Sequence, residues 1–174
     1  IVTTTAEGML KQAVEALEGE GQIGSLTVNG PLGFEDLKYL RHLAGRDSLD
    51  GESGESVRLL NLTNTQLHDN VLPDSIFKNC VSLQRIYLPA TVEHIGREAF
   101  SGCSHLYELR VPTKVVPELD GPRVFQDVPM GSCMLYVRSG MKTKYLKKAQ
   151  WKSFGEKNIG EEGTSIQARN TIRK

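Results

Sequence analysis

The stretch Ser75-Ile76-Phe77-Lys78-Asn79-Cys80-Val81-Ser82-Leu83-Gln84-Arg85-Ile86-Tyr87-Leu88-Pro89 returns as Glu98-Ala99-Phe100-Ser101-Gly102-Cys103-Ser104-His105-Leu106-Tyr107-Glu108-Leu109-Arg110-Val111-Pro112. At this offset of 23 residues, Phe77 falls on Phe100, Cys80 on Cys103, Leu83 on Leu106, Ile86 on Leu109, Leu88 on Val111 and Pro89 on Pro112. Leu72 likewise falls on Ile95. A chain with a fixed period of this kind folds as stacked units, because one unit alone cannot bury its apolar face.

The heart of each unit is L-x-x-[IL]-x-[LV], a short strand whose alternate side chains point inward. The proline that follows Leu88 and Val111 cannot donate a further ladder hydrogen bond, so it ends the strand. Weaker copies flank the two good ones: Ile23-x-x-Leu26-x-Val28 and Val57-x-x-Leu60-x-Leu62 before them, Leu135-Tyr136-Val137 after. Phe125 and Val128 then take the Phe and Cys places of the next turn. The strands follow one another at 34, 26, 23 and 26 residues, close to the span of leucine-rich repeats, and the drift is what terminal units of a stack show. The expected fold is therefore an α/β leucine-rich-repeat solenoid of about five rungs with a helical N-terminal cap and a C-terminal cap.

The cap expectations rest on helical periodicity. Residues 7–18 place Leu10, Val14 and Leu17 on one face, and residues 34–44 repeat Phe34, Leu37, Leu40 and Leu43. After the last rung, residues 141–149 predict a short helix around Tyr145 and Leu146, with Trp151 and Phe154 packed behind it. The implied organisation is an N-terminal cap with a first degenerate rung over 1–56, repeats over 57–137, a C-terminal cap over 138–160 and a polar tail over 161–174. That tail is expected to be disordered or to lead into a further domain. Because the sequence opens on Ile1 rather than Met, a processed or trimmed start is expected, with any targeting segment out of view.

Stacking places equivalent residues of adjacent coils about 4.8 Å apart. Cys80 and Cys103 are then neighbours in one column. Their side chains point the same way rather than toward each other, so free buried thiols are expected. The middle residues of the strands form an outward row of Thr27, Asn61, Tyr87, Arg110 and Tyr136. Two residues earlier runs a second row of Ser25, Leu59, Arg85, Glu108 and Met134. Tyrosine and arginine are enriched at binding hot spots, and the sheet of a solenoid is an extended contact surface. Asn61, Arg85, Tyr87, Glu108, Arg110 and Tyr136 are therefore the candidate binding residues; the plain alternative is that they solvate the sheet.

Composition narrows the function. The 174 residues carry 21 basic and 21 acidic side chains, so no global field gathers nucleic acid or anionic lipid. No apolar run approaches the ~18 residues of a membrane helix. The neutrality is a sum of unlike ends, −6 over residues 1–55, −1 over 56–137 and +7 over 138–174. Lys142, Lys144, Lys147 and Lys148 concentrate the positive end, which makes end-to-end self-association a candidate alongside a merely solvated helix. Catalytic and cofactor motifs fail on context. Gly19-Glu20-Gly21-Gln22-Ile23-Gly24 matches GxGxxG but follows a helix and precedes a strand, the reverse of a dinucleotide fingerprint. Gly51-Glu52-Ser53-Gly54 falls short of GxSxG. Asp47, Asp50, Glu52 and Glu55 lack calcium-loop spacing, and His42, His68, His94 and His105 put no two imidazoles on one helix face. The expectation is a non-enzymatic chain with no metal and no cofactor. Asp74-Ser75-Ile76 resembles a bacterial O-glycosylation acceptor, with a plain turn as the alternative.

The pattern AF-x-x-C-x-x-L-x-x-[IL]-x-[LV]-P, preceded by Val92-Glu93-His94-Ile95-Gly96, resembles the BspA-like leucine-rich repeat family of bacterial surface proteins. Leu135 to Gly140, followed by Tyr145, Trp151, Phe154 and Ile159, looks like that family's closing segment, and Ala6 to Ala44 like its lead-in. Arg138 stands where the rung proline would be. The resemblance implies a cell-surface or secreted location and an adhesion-like role, with an extracellular protein as partner. A carbohydrate-binding accessory domain is the runner-up, with Tyr87, Tyr136 and Tyr107 as sugar-stacking rings.

Overall fold

The computed structural model describes residues 1–17, 23–45 and 57–162. Along the chain run β1 (Val2–Thr3), α1 (Leu10–Glu15), β2 (Ser25–Leu32), α2 (Phe34–Leu43), β3 (Leu59–Leu67), β4 (Val71–Leu72), β5 (Arg85–Tyr87), β6 (His94–Ile95), β7 (Glu108–Val111), β8 (Glu118–Leu119), β9 (Met134–Val137), α3 (Lys142–Tyr145) and β10 (Ile159–Glu161). Short 3₁₀ turns lie at His68–Asn70, Trp151–Phe154 and Glu156–Asn158. Seven strands make one parallel sheet in the order β1-β2-β3-β5-β7-β9-β10, and three make a second, β4-β6-β8. The chain thus crosses the large sheet, turns through the small one and returns, as a leucine-rich repeat does.

The five strands read from the sequence are the middle five of the large sheet. Ile86 pairs with Leu60 and Leu109, and Leu109 with Leu135, which is the register of the repeat. Their alternation is complete: Leu26, Val28, Leu60, Leu62, Ile86, Leu88, Leu109, Val111, Leu135 and Val137 are all buried. The small sheet was carried in the sequence only by the match of Leu72 to Ile95, which the structure pairs in register.

The turn between the sheets is built the same way in each coil. Phe77, Phe100 and Phe125 stack at centroid separations of 5.9 and 5.8 Å. Two residues after each phenylalanine, Asn79, Gly102 and Asp127 hold a left-handed backbone, with φ of 60°, 78° and 62°. These are the residue types that adopt this conformation at least cost. The next residue folds back to donate to its phenylalanine: Cys80 N–H to Phe77 O, Cys103 N–H to Phe100 O and Val128 N–H to Phe125 O, at 3.1 to 3.2 Å. Adjacent coils are tied by Phe77 N–H to Ala99 O and Phe100 N–H to Val124 O. Ser75 opens such a turn with φ of 55° and its N–H on Arg97 O.

The aromatic column ends in the closing segment. Phe125 meets Trp151 at 5.1 Å and Phe154 at 5.3 Å, and Trp151 meets Tyr145 edge-on at 5.0 Å. The Trp151 indole donates to Pro117 O at 3.1 Å, and burial pushes the Tyr145 hydroxyl far up while it shares a hydrogen bond with Thr113. The expected helix over 141–149 shortens to Lys142–Tyr145. Ile159–Glu161 then adds an edge strand, so Gly160 and Glu161 belong to the sheet.

At the other end the helix expected over 7–18 is confined to Leu10–Glu15. Gly8 sits at φ 81°, outside helical space, and the helix ends before Leu17, which is 59% exposed rather than on the buried face. Leu37, Leu40 and Leu43 of α2 are buried as expected, but Phe34 is 55% exposed because it opens the helix and points away from the core. Asp36 ties the two helices together. Its buried carboxylate accepts from Gly8 N–H at 2.6 Å, Leu10 N–H at 2.9 Å and Gly33 N–H at 2.9 Å. It satisfies donors at the start of α2 and of α1, which otherwise have no intrahelical acceptor. Residues 19–22 of the GxGxxG match, Gly51 to Gly54 and the acidic cluster Asp47 to Glu55 lie outside the described residues.

Cys80, Cys103 and Cys133 are free and buried. Cys103 Sγ donates to Phe77 O at 3.1 Å. Burial, with Cys80 beside it, raises the Cys103 thiol far above its usual value, and burial with the charge of Glu108 pushes Cys133 up to about 12. Thiols this far from ionisation are poor nucleophiles. Native protein should therefore resist an alkylating reagent at neutral pH and yield three reactive thiols only after unfolding in denaturant, counted by mass spectrometry. Phe100→Ala, which removes the central ring of the stack, should lower stability by about 3–5 kcal/mol in urea titration without changing the solvent exposure per molecule that the slope reports.

Candidate functional site

The parallel register delivers both outward rows as read from the sequence. Thr27 pairs with Asn61, Asn61 with Tyr87, Tyr87 with Arg110 and Arg110 with Tyr136. Ser25, Leu59, Arg85, Glu108 and Met134 follow in the second row. All six candidate residues are half-buried, because each side chain lies against those of the strands on either side.

Four of the six form one bonded cluster. The Arg110 guanidinium lies 4.5 Å from the Tyr87 ring centroid and 5.0 Å from that of Tyr136, between the two rings. Its Nε donates to Glu108 Oε1 at 2.6 Å, and one Nη stands 3.9 Å from Glu162 Oε1. Such a planar cation between aromatic faces, with a carboxylate in its own plane, uses both the π attraction and the in-plane N–H groups of arginine. Burial works against the charge on Arg110, yet the Glu108 hydrogen bond, then the charges of Glu108, Tyr87 and Glu162, raise its affinity for the proton overall. Burial, reinforced by the Glu108 charge, raises the Tyr87 hydroxyl against the pull of Arg110. Burial also raises the Glu162 carboxyl, with Arg110 opposing.

Tyr136 is enclosed on its other side as well. A Cβ at Gly160 would come within 3.0 Å of the Tyr136 ring carbons, so the glycine backbone of the edge strand lies against that ring. Gly160 and Glu162 are the members of this cluster that sequence reading missed. The signal was the continuation of the repeat register one strand further, hidden in a segment whose polar composition read as cap end and tail.

The remaining two candidates differ from each other. Asn61 turns back onto its own strand, where Oδ1 accepts from Thr63 N–H at 3.0 Å and from the Thr63 hydroxyl at 2.7 Å. Arg85 has its Nε buried with no hydrogen-bond partner, and no salt bridge engages its guanidinium among the described residues. The sheet face therefore holds one arginine that is fully engaged and, one strand away, one that is not.

The histidines make local contacts. His94 Nδ1 lies 3.3 Å from Asp120 Oδ1, His105 Nδ1 lies 2.8 Å from Val81 O, and His68 stands between Glu7 and Asp69. Among the described residues no group of three or more His, Cys, Asp or Glu side chains could hold a metal ion. Among them no helix is long and apolar enough to cross a membrane.

The model of the BspA-type leucine-rich repeat region matches residues 34–126, in six copies and over more than half of the chain. The chain belongs to this family. No curated protein matches it. The BspA-type match runs from the start of α2 through the turn that holds Phe125, so it spans the aromatic column and the strands that carry Arg85, Tyr87, Glu108 and Arg110. It stops before Tyr136, Gly160 and Glu162, which complete the arginine sandwich from outside the matched repeats. Repeats of this family are typically non-enzymatic, and the BspA-type proteins that carry them are typically found at the cell surface.

The contrast between the two arginines is measurable as stability. Arg110→Met strips two rings of their cation and leaves the mostly buried Glu108 without its partner, and should cost about 1–3 kcal/mol in urea. Arg85→Met removes a buried donor that has no partner, and should leave the unfolding midpoint unchanged or slightly raised.

Proposed function

We propose that this chain is a non-enzymatic, adhesion-like protein-interaction module of a cell-surface or secreted protein, and that it engages its partner through the large sheet at Arg85. The observation that carries this reading is Arg85, whose Nε is buried without a hydrogen-bond partner and whose guanidinium makes no salt bridge among the described residues, on a face where Arg110 and Glu108 engage each other. A buried or half-buried arginine donor without an acceptor is unfavourable in the free protein. A carboxylate brought by a partner can engage the terminal nitrogens of this guanidinium in a charge-assisted, two-pronged hydrogen bond.

The surroundings suit a protein partner. Leu59 and Met134 border the charged residues in the same row, and Tyr87 stands two residues along the strand from Arg85. An apolar and aromatic surround that excludes water around one arginine is the usual form of a hot spot. The Arg110 cluster serves as the rigid floor beside it rather than as the contact itself.

Sugar stacking finds less support. The Tyr87 and Tyr136 rings each give a face to Arg110, and Tyr136 gives the other to Gly160. Tyr107, at 44% exposure, keeps its ring more open than these.

An array of extracellular matrix proteins and glycans, probed with the purified chain, tests this reading. Capture by one or more proteins is expected, with Arg85→Glu abolishing the signal and Arg85→Lys weakening it, while circular dichroism shows that each variant keeps the fold. Signals on glycans alone, or protein capture that Arg85→Glu leaves intact, would refute binding at this place.

A further inference from the structure

We propose that the groove between α2 and the turn leading into β4 is a second binding site, which takes a basic side chain flanked by apolar neighbours, as in a lysine- or arginine-bearing peptide. The groove has a volume of about 470 Å³. Its floor and walls are apolar: Leu32 at the end of β2, Phe34 and Leu37 in the first turn of α2, and Val71 and Pro73 at β4. Its mouth is acidic, formed by Glu7, His68 and Asp69.

Three features argue for a cation with an apolar stem. The first is Phe34, a phenylalanine that the core leaves out. At 55% exposure it offers a ring at the edge of the groove, where water contact is unfavourable. The second is the state of the two carboxylates. Glu7 Oε1 lies 3.5 Å from His68 Nδ1 and Asp69 Oδ2 lies 3.5 Å from His68 Nε2, and no lysine or arginine pairs with either among the described residues. Two carboxylates against a single imidazole leave the mouth negative in either protonation state of that histidine. The third is how the backbone holds them there. A Cβ at Gly33 would come within 3.0 Å of the Glu7 carboxylate, so the glycine gives Glu7 room to lie over the groove. Asp69 and Asn70 are consecutive non-glycine residues at φ 51° and 57°, a turn that sets Asp69 opposite Glu7 across the imidazole.

Lysine and arginine lay their methylene stems along apolar surface while the charged head stays in water beside an acid. An apolar floor under an acidic mouth complements that shape and charge. Lys38 approaches the Phe34 ring at 5.6 Å but is paired with Glu35 at 3.0 Å rather than with the carboxylates of the mouth. The site shares no residue with the sheet face around Arg85, and the proposal does not depend on that face binding anything.

The test uses the intact chain and a fluorescently labelled peptide of alternating leucine and lysine, compared with leucine–glutamate and serine–lysine peptides of the same length. Anisotropy titration should show binding of the leucine–lysine peptide only, weakened at least about 10-fold by Phe34→Ser and by the Glu7→Gln, Asp69→Asn pair, and unchanged by Arg85→Glu. All of the altered side chains here are exposed or half-exposed, and circular dichroism verifies that each variant folds. Several results would overturn the proposal: no binding up to millimolar peptide, equal binding of the leucine–glutamate peptide, affinity unmoved by the groove variants, or affinity lost in Arg85→Glu. Self-association of the chain that disappears in Phe34→Ser would also overturn it, by showing that a second copy covers the groove.

Discussion

Parallel strands stacked at about 4.8 Å force equivalent residues of successive coils to lie against one another. Every other feature of this chain follows from that constraint. A column can be filled by identical side chains only if they are apolar and flat, or small, and the chain meets this with Phe77 on Phe100 on Phe125 and with Cys80, Cys103 and Val128 in the next column. The phenylalanine stack then needs a wall at its open end. Trp151 and Phe154 supply it, which is why a segment with little regular structure still holds three of the largest buried side chains of the protein, Tyr145 among them.

On the outer face the same constraint acts on charge. Like charges directly opposite each other on adjacent strands repel, so a ladder of exposed residues must alternate. Here Arg85 lies beside Glu108, and Arg110 lies between two tyrosines. Glu108 Oε1 accepts from Arg110 Nε, on the same strand and two residues away, at 2.6 Å, and no salt bridge joins Glu108 to Arg85 among the described residues. Arg85 is left as the unsatisfied member. A functional reading of the sheet thus comes from which guanidinium one carboxylate engages, a property of neighbours in space.

The turn chemistry shows how much a repeat can hide in plain view. Asn79, Gly102 and Asp127 differ in chemistry, yet all three tolerate a left-handed backbone, and all three adopt it at the same place in the coil. Matching by residue identity misses them; matching by allowed conformation finds them. Helix edges were less legible. Leu17 and Phe34 fit the apolar periodicity of their helices but sit at the ends, where the helix has stopped or the core has not yet been reached. Periodicity locates a face and leaves the termini to capping, here to Gly8 and to the three N–H groups that converge on Asp36.

The period of the sequence by itself determined the register, and with it the buried columns, the free thiols and the order of residues along both outward rows. These are properties of spacing, and spacing survives in the linear chain. Tertiary structure alone decided which members of those rows are engaged. Tyr136, Gly160 and Glu162 come from beyond the matched repeats to enclose Arg110, and Glu7 reaches His68 and the turn before β4 from the other end of the chain. Whether a side chain finds a partner depends on atoms brought near by folding, and no local pattern records which distant residue that will be.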